Sequence, residues 1–331
     1  MIITKTPFRL TLGGGGTDLP SYYREHGGYV LTSAIDKYMY ICIKYPGSPV
    51  DNKIILKYSK SEVVSTPDEL EHDIVRAVLK TEGITGSIQI SSIADCPAGS
   101  GLGSSGSYTV GLLNGIYFAL ERSIDKKTLA EDACAYEMNI LKKPSGKQDQ
   151  YIASYGGIIE MIINKTGCVT VNRVPIENYT IKTLESNMMM FYTGFTRKAE
   201  SILQTQKEKI DSGEIIDIMH SIKEIGMNAK NYLVAGDCHK FAHTLDLHWQ
   251  LKSKISKDMS SEYIDKWYKH ALNCGAIGGK LCGAGGGGGF INIYCDDENA
   301  CKRIRKDYKE YGLIEMPWRF EMNGTRIVAD I

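Results

Sequence analysis

The stretch Asp95-Cys96-Pro97-Ala98-Gly99-Ser100-Gly101-Leu102-Gly103-Ser104-Ser105-Gly106 is the part of this chain best suited to chemistry. It precedes a run with Thr109, Leu112, Leu113, Ile116, Tyr117 and Leu120 at helical spacing. A glycine-rich loop feeding a helix N-terminus offers unpaired backbone N–H groups and the positive end of the helix dipole to an anion. That suits a di- or triphosphate. The Ser104 and Ser105 hydroxyls can cap the helix, touch phosphate or reach a magnesium ion. Two other readings compete. Gly101, Gly103 and Gly106 form a dinucleotide fingerprint, with Glu121 at the distance its acid would take. However, Glu121 ends a helical stretch, where that fingerprint wants the end of a second strand. The other is a serine-capped helix after a flexible loop. The chain has no Walker A sequence, no His-Arg-Asp and no Asp-Phe-Gly.

Two more glycine runs, Gly13 to Gly16 and Gly283 to Gly289, account for much of the excess in a chain with 34 glycines. Thr17 and Asp18 beside the first run make a hydroxyl-binding pair or decorate a tight turn. Between the loops, Ala130, Ala133, Cys134, Glu137, Ile140 and Leu141 share one stripe of a helix expected from about Lys127 to Leu141. A lone carboxylate on an apolar face is costly, so Glu137 needs a partner. A Mg²⁺ shared with Ser105 is one answer and a buried ion pair another. Arg197 and Lys198 fall in the first turn of a helix expected near Thr196, where cations oppose the dipole. A bound phosphate would relieve that conflict, and solvation as two surface charges is the alternative. His248 fits a packed core position as well as a ligand position.

Pro97-x-x-x-Gly101-Leu102-Gly103-Ser104-Ser105 resembles the second signature of the GHMP kinases, which wrap ATP phosphates with this loop. Pro7 to Asp18 resembles the first motif of that family, which holds the phosphoryl acceptor, with Arg9, Thr17 and Asp18 matching in kind and spacing. Galactokinases carry Glu-His where this chain has Gly15-Gly16, which argues against galactose and for a bulkier sugar. Lys280-Leu281-Cys282-Gly283-Ala284-Gly285-Gly286 resembles the third motif, which packs on the nucleotide loop. The resemblance implies an α+β fold with a first domain like ribosomal protein S5 domain 2 (1–180) and a ferredoxin-like second domain (181–331). It implies ATP and Mg²⁺ as cofactors. Pro97, Gly99, Ser100, Gly101, Leu102, Gly103, Ser104 and Ser105 would then hold ATP. Ser145-Gly146-Lys147-Gln148-Asp149-Gln150 resembles the galactokinase segment with the catalytic aspartate, twelve residues after the metal-binding glutamate, as Asp149 is from Glu137. By that resemblance Asp149 is the catalytic base or the orienter of the acceptor hydroxyl, Arg9 its partner in stabilising transferred charge, and Ser105 with Glu137 the metal pair. Gly15, Gly16, Thr17, Asp18, Arg197 and Lys198 would bind the acceptor. The segments LGGGGTDLPSY, Tyr192 to Glu200 and Leu247-His248-Trp249-x-x-Lys252 resemble the family's kinases of D-glycero-D-manno-heptose 7-phosphate, with L-fucose kinase the alternative and a non-catalytic sensor a third reading.

The elements that must position these residues follow from patterning. Residues 29–45, 87–91, 158–163, 188–192 and 290–294 have strand character. Helices are expected over 214–274 and about 298–309, and a hairpin across Asn323-Gly324. The 39 basic and 39 acidic residues balance, which disfavours a nucleic-acid partner. The N-terminal MIITKTPFRL lacks the apolar core of a signal peptide, and no stretch approaches the roughly 20 apolar residues of a membrane span. Nine cysteines without a Cys-x-x-Cys pair fit a reduced, cytoplasmic protein. A monomer or homodimer is expected.

Overall fold

A computed structural model describes residues 1–47, 52–196 and 199–330. It opens with β1 (Ile2–Gly13), α1 (Pro20–His26) and β2 (Gly28–Lys44). β2 draws on β-branched and aromatic residues, and its first eight positions are all buried, as befits a strand covered on both faces. It lies antiparallel to β1 along one edge. On the other edge its first half pairs with β6 (Ile158–Ile163) and its second half with β5 (Ile88–Ala94). β3 (Ile54–Lys57), β4 (Ser61–Val64) and β7 (Val169–Arg173) extend the same sheet. α2 (Asp73–Thr81) follows β4, with α3 (Ser104–Ala119), α4 (Lys126–Cys134) and α5 (Gln148–Tyr155) between β5 and β6.

α3 is buried on nearly every side, because it packs on β1 and β2 and also against α4 and α5. The helix expected over 127–141 divides in two. α4 is capped by Asp125, whose Oδ1 accepts from the Lys127 and Thr128 N–H groups at 2.8 and 3.1 Å. A π-helical turn, Ala135–Ile140, then carries Glu137.

α6 (Asn178–Asn187) leads to a second sheet: β8 (Met188–Tyr192), β9 (Gly278–Leu281), β10 (Phe290–Tyr294) and β11 (Ile314–Glu315). Helices α7 (Ala199–Asp211), α8 (Ile216–Val234), α9 (Cys238–Lys252) and α10 (Glu262–Asn273) join β8 to β9, and α11 (Glu298–Glu310) joins β10 to β11. The antiparallel order β11-β8-β10-β9, with helices after the first and third strands, is the ferredoxin-like arrangement. An apolar cluster runs from Phe8, Leu31 and Leu113 through to Met188, Met190 and Phe241, so the two sheets share a core.

The expected hairpin at Asn323-Gly324 does not form. The Thr325 N–H donates to Ala153 O at 2.7 Å, which ties this segment to the end of α5. The chain then enters β12 (Arg326–Asp330), which pairs antiparallel with β1. A polar Asn-Gly pair marks a turn locally, but here tertiary pairing with β1 takes the strand that follows. No helix among the described residues is long and apolar enough to cross a membrane.

Candidate active site

β1 carries Arg9, 5% exposed, into a cleft of about 1030 Å³. The phosphate loop is bonded to the same strand, since the Arg9 N–H donates to Leu102 O at 3.0 Å. From there the Arg9 guanidinium spans three pieces of chain. Its Nε donates to Asp149 Oδ1 at 2.7 Å, Nη2 to Asp149 Oδ2 at 3.3 Å, and Nη1 to the Gly101 carbonyl. Asp149 lies in the first turn of α5 and faces the cleft. Gly103 caps α3 at φ +76°, and a Cβ there would lie 2.9 Å from Arg9 Cγ and 3.2 Å from the Asp149 carboxyl carbon. Only glycine lets the helix N-terminus come this close to the Arg9–Asp149 pair.

Glu137 is 3% exposed. It accepts from Ser105 Oγ at 3.1 Å and from Gln150 Nε2 at 3.0 Å. Burial pushes its carboxyl above the usual range; the Gln150 and Thr109 hydrogen bonds oppose this and the Asp149 charge adds to it. Among the described residues no cationic side chain pairs with it, so the buried ion pair that its sequence position allowed is not what the structure holds. Its π-helical turn is a feature that recurs at functional sites. Ser105 is exposed to the cleft beside it. Two hard oxygen donors, one anionic and buried, fit a magnesium ion, which would offset the burial of the carboxylate.

Asp18 is 5% exposed and its Oδ2 accepts from the Gln148 N–H at 2.9 Å, while Oδ1 accepts from the Gly16 N–H at 3.1 Å. Burial raises its carboxyl, the Gln148 N–H opposes the rise, and Asp149 adds to it. Gly15, Gly16 and Asp18 line the cleft. Thr17 does not: its hydroxyl is fully buried, bonded to Gly14 O and Tyr29 O at 2.8 and 2.6 Å, where it closes the glycine turn instead of meeting a ligand.

Pro97, Gly99, Gly101, Gly103, Ser104 and Ser105 line the cleft, whereas Ser100 and Leu102 are buried beneath the loop. The Phe290 N–H donates to Ser100 O at 3.1 Å, and a Cβ on Gly283 would lie 2.6 Å from Gly101 Cα. The third glycine run thus packs on the phosphate loop. Gly283 and Ala284 reach the cleft, while Gly286 turns away to bond Met259 O at 2.8 Å and Gly285 packs against the same methionine. Arg197 and Lys198 lie outside the described residues.

Residues that local patterning does not single out complete the site. Gln150 holds Glu137, and Gln206 on α7 hangs over Gly16. Elsewhere in the lining, His72 stacks on Tyr108 with ring centroids 4.9 Å apart, and Tyr58 meets His72 edge-on. All three line the cleft, where they offer flat surfaces for a purine base.

The model of the GHMP kinases N terminal domain matches residues 70–157. The D-glycero-alpha-D-manno-heptose 7-phosphate kinase of Campylobacter jejuni is 30% identical over 98% of this chain and 98% of its own. The L-fucokinase/L-fucose-1-P guanylyltransferase of Bacteroides fragilis is 24% identical over 91% of this chain but only 35% of its own. The crystal structure of a D-glycero-D-manno-heptose 1-phosphate kinase from Bacteroides thetaiotaomicron superimposes with a TM-score of 0.81, at 25% identity and full coverage of both chains. With the three glycine loops converging on one cleft and the Arg9–Asp149 pair between them, the chain belongs to the GHMP kinase family and is a sugar kinase.

Proposed function

We propose that this kinase transfers the γ-phosphoryl group of ATP to the anomeric hydroxyl of D-glycero-D-manno-heptose 7-phosphate, giving the 1,7-bisphosphate in the cytoplasmic synthesis of activated heptose. The observation that carries this is the Arg9–Asp149 pair, fixed at 2.7 Å between the phosphate loop and the acceptor loop. Asp149 accepts the proton of the acceptor hydroxyl as its oxygen bonds to the γ-phosphorus, and the bond from that phosphorus to ADP breaks. Arg9 holds the carboxylate in place and adds positive charge beside the transferred group. The phosphate loop and the α3 N-terminus hold the ATP phosphates through backbone N–H groups. A Mg²⁺ held by Ser105 and Glu137 would neutralise phosphate charge. The relatives named above supply the acceptor class: two act on phosphorylated heptoses, though their names place the phosphate at different carbons.

The test is ADP release across heptose 7-phosphate, heptose 1-phosphate, free heptose, L-fucose and galactose. Heptose 7-phosphate is expected to show the highest kcat/KM. L-fucose as the best acceptor would transfer the assignment to the fucokinase relatives.

A further inference from the structure

Three groups able to carry positive charge meet in the lining of the cleft. His248 and Lys252 stand one turn apart on α9, which packs on β9, the strand that carries Lys280. They are 1%, 8% and 4% exposed, and all three line the cleft. Both ring nitrogens of His248 are buried with no hydrogen-bond partner among the described residues. Lys280 makes no ion pair with any described carboxylate. Lys252 is anchored by donating to the Gly283 carbonyl. The buried His248 nitrogens are costly unless something satisfies them, and a buried lysine such as Lys280 is rare without an anion.

The end of the cleft they occupy is the acceptor end. Leu251, next to Lys252, shares an apolar cluster with Leu19, Leu203 and Ala284. Leu19 follows the acceptor loop directly. Gln206, one turn beyond Leu203 on α7, would meet a Cβ on Gly16 at 2.6 Å.

We propose that His248, Lys252 and Lys280 form the seat for the phosphomonoester of the acceptor, remote from the hydroxyl that is phosphorylated. The inference rests on the sugar-kinase reading above and adds to it the residues that discriminate a sugar phosphate from a free sugar. A dianion there gives His248 an acceptor for a ring N–H and gives both lysines charge-assisted hydrogen bonds. It also removes an electrostatic conflict. Burial pushes the Lys280 ammonium down to about 7, with Arg9 lowering it further and Cys282 opposing. Burial likewise lowers His248 far below its ordinary range, and Lys280 and Lys252 add to that. The seat is built from a helix and a strand, so it is formed before the acceptor arrives.

The experiment compares wild type with Lys280→Met, His248→Gln and Lys280→Arg, using heptose 7-phosphate and free heptose as acceptors. For Lys280→Met the preference for the phosphorylated sugar, as a ratio of kcat/KM values, is expected to fall roughly 10- to 100-fold, the worth of a charge-assisted hydrogen bond. KM for ATP should stay within about twofold, and Lys280→Arg should retain most of the preference. A second readout needs no turnover. With saturating ADP on the phosphate loop, inorganic phosphate should raise the melting temperature of wild type but not of Lys280→Met. An unchanged preference in both Lys280→Met and His248→Gln overturns the proposal. So does a loss that falls on KM for ATP, which would place a nucleotide phosphate here, or a preference erased by Arg197→Ala alone. If no sugar or sugar phosphate releases ADP, the acceptor reading itself fails, and the phosphate-dependent melting shift still decides the seat.

Discussion

Arg9 and Asp149 hold each other through two hydrogen bonds, so the carboxylate is aimed before an acceptor enters. Asp149→Asn keeps the shape and removes the base. Turnover should fall by a factor on the order of 10² or more, with KM for ATP little changed; turnover within threefold of wild type would remove Asp149 from the role. Glu137→Gln preserves volume in a buried site already bonded to Ser105 and Gln150. It should therefore fold and yet need several-fold more magnesium for half-maximal rate. Superimposable magnesium titrations would make Glu137 a structural carboxyl instead. At this scale the sequence was informative where chemistry and period coincide. Glu137 stands out because it interrupts an apolar stripe, and Asp149 because its segment matches a family motif. The sequence leaves Thr17 open between ligand and turn, because a hydroxyl beside a glycine run looks the same whether it faces a substrate or the backbone. Lys280 and His248 lie more than thirty residues apart, and nothing local announces that α9 and β9 bring them together.

The second and third glycine loops act as one element, since each relies on the other for its shape. Gly101 sits at φ +84°, and a Cβ there would lie 2.5 Å from Cys282 O. Gly101→Ala forces both a left-handed non-glycine residue and a clash with the third loop. The expected cost is about 1–3 kcal/mol of stability, seen as a lower melting temperature, together with a raised KM for ATP. If Gly101→Ala melts and binds ATP like wild type, the two loops are not packed as described. The strands β2, β6, β8 and β10 follow from their apolar and aromatic runs, and α7 from the shared face of Ile202, Leu203 and Ile210. The π turn at Glu137 did not follow, because the period of a helix stripe is nearly the same whether one turn is widened or not. Nor did the fate of Asn323-Gly324, which is settled by pairing with a strand more than three hundred residues earlier.

For the whole molecule, the shared core between the sheets fixes both halves of the cleft, and the last strand returns to the first. It also makes stability depend on pH through the buried Lys280. Its pKa falls from 10.5 to about 7 on folding. Between those values the unfolded chain holds a proton that the folded chain lacks, so the ligand-free protein gains stability as pH rises through that window. The groups that face it are Arg9 from β1, His248 from α9, and Cys282 just beyond its own strand. Lys280→Met should flatten the rise in melting temperature between about pH 7 and pH 9 relative to wild type; parallel curves would show that Lys280 is charged throughout. The measurement that bears most directly on the account is phosphorus NMR of heptose 7-phosphate incubated with ATP and magnesium. The account predicts one ADP per acceptor and a new phosphomonoester coupled to the anomeric proton, with the 7-phosphate retained. No ADP above the acceptor-free background, or a new phosphate on any carbon other than the anomeric one, would contradict it.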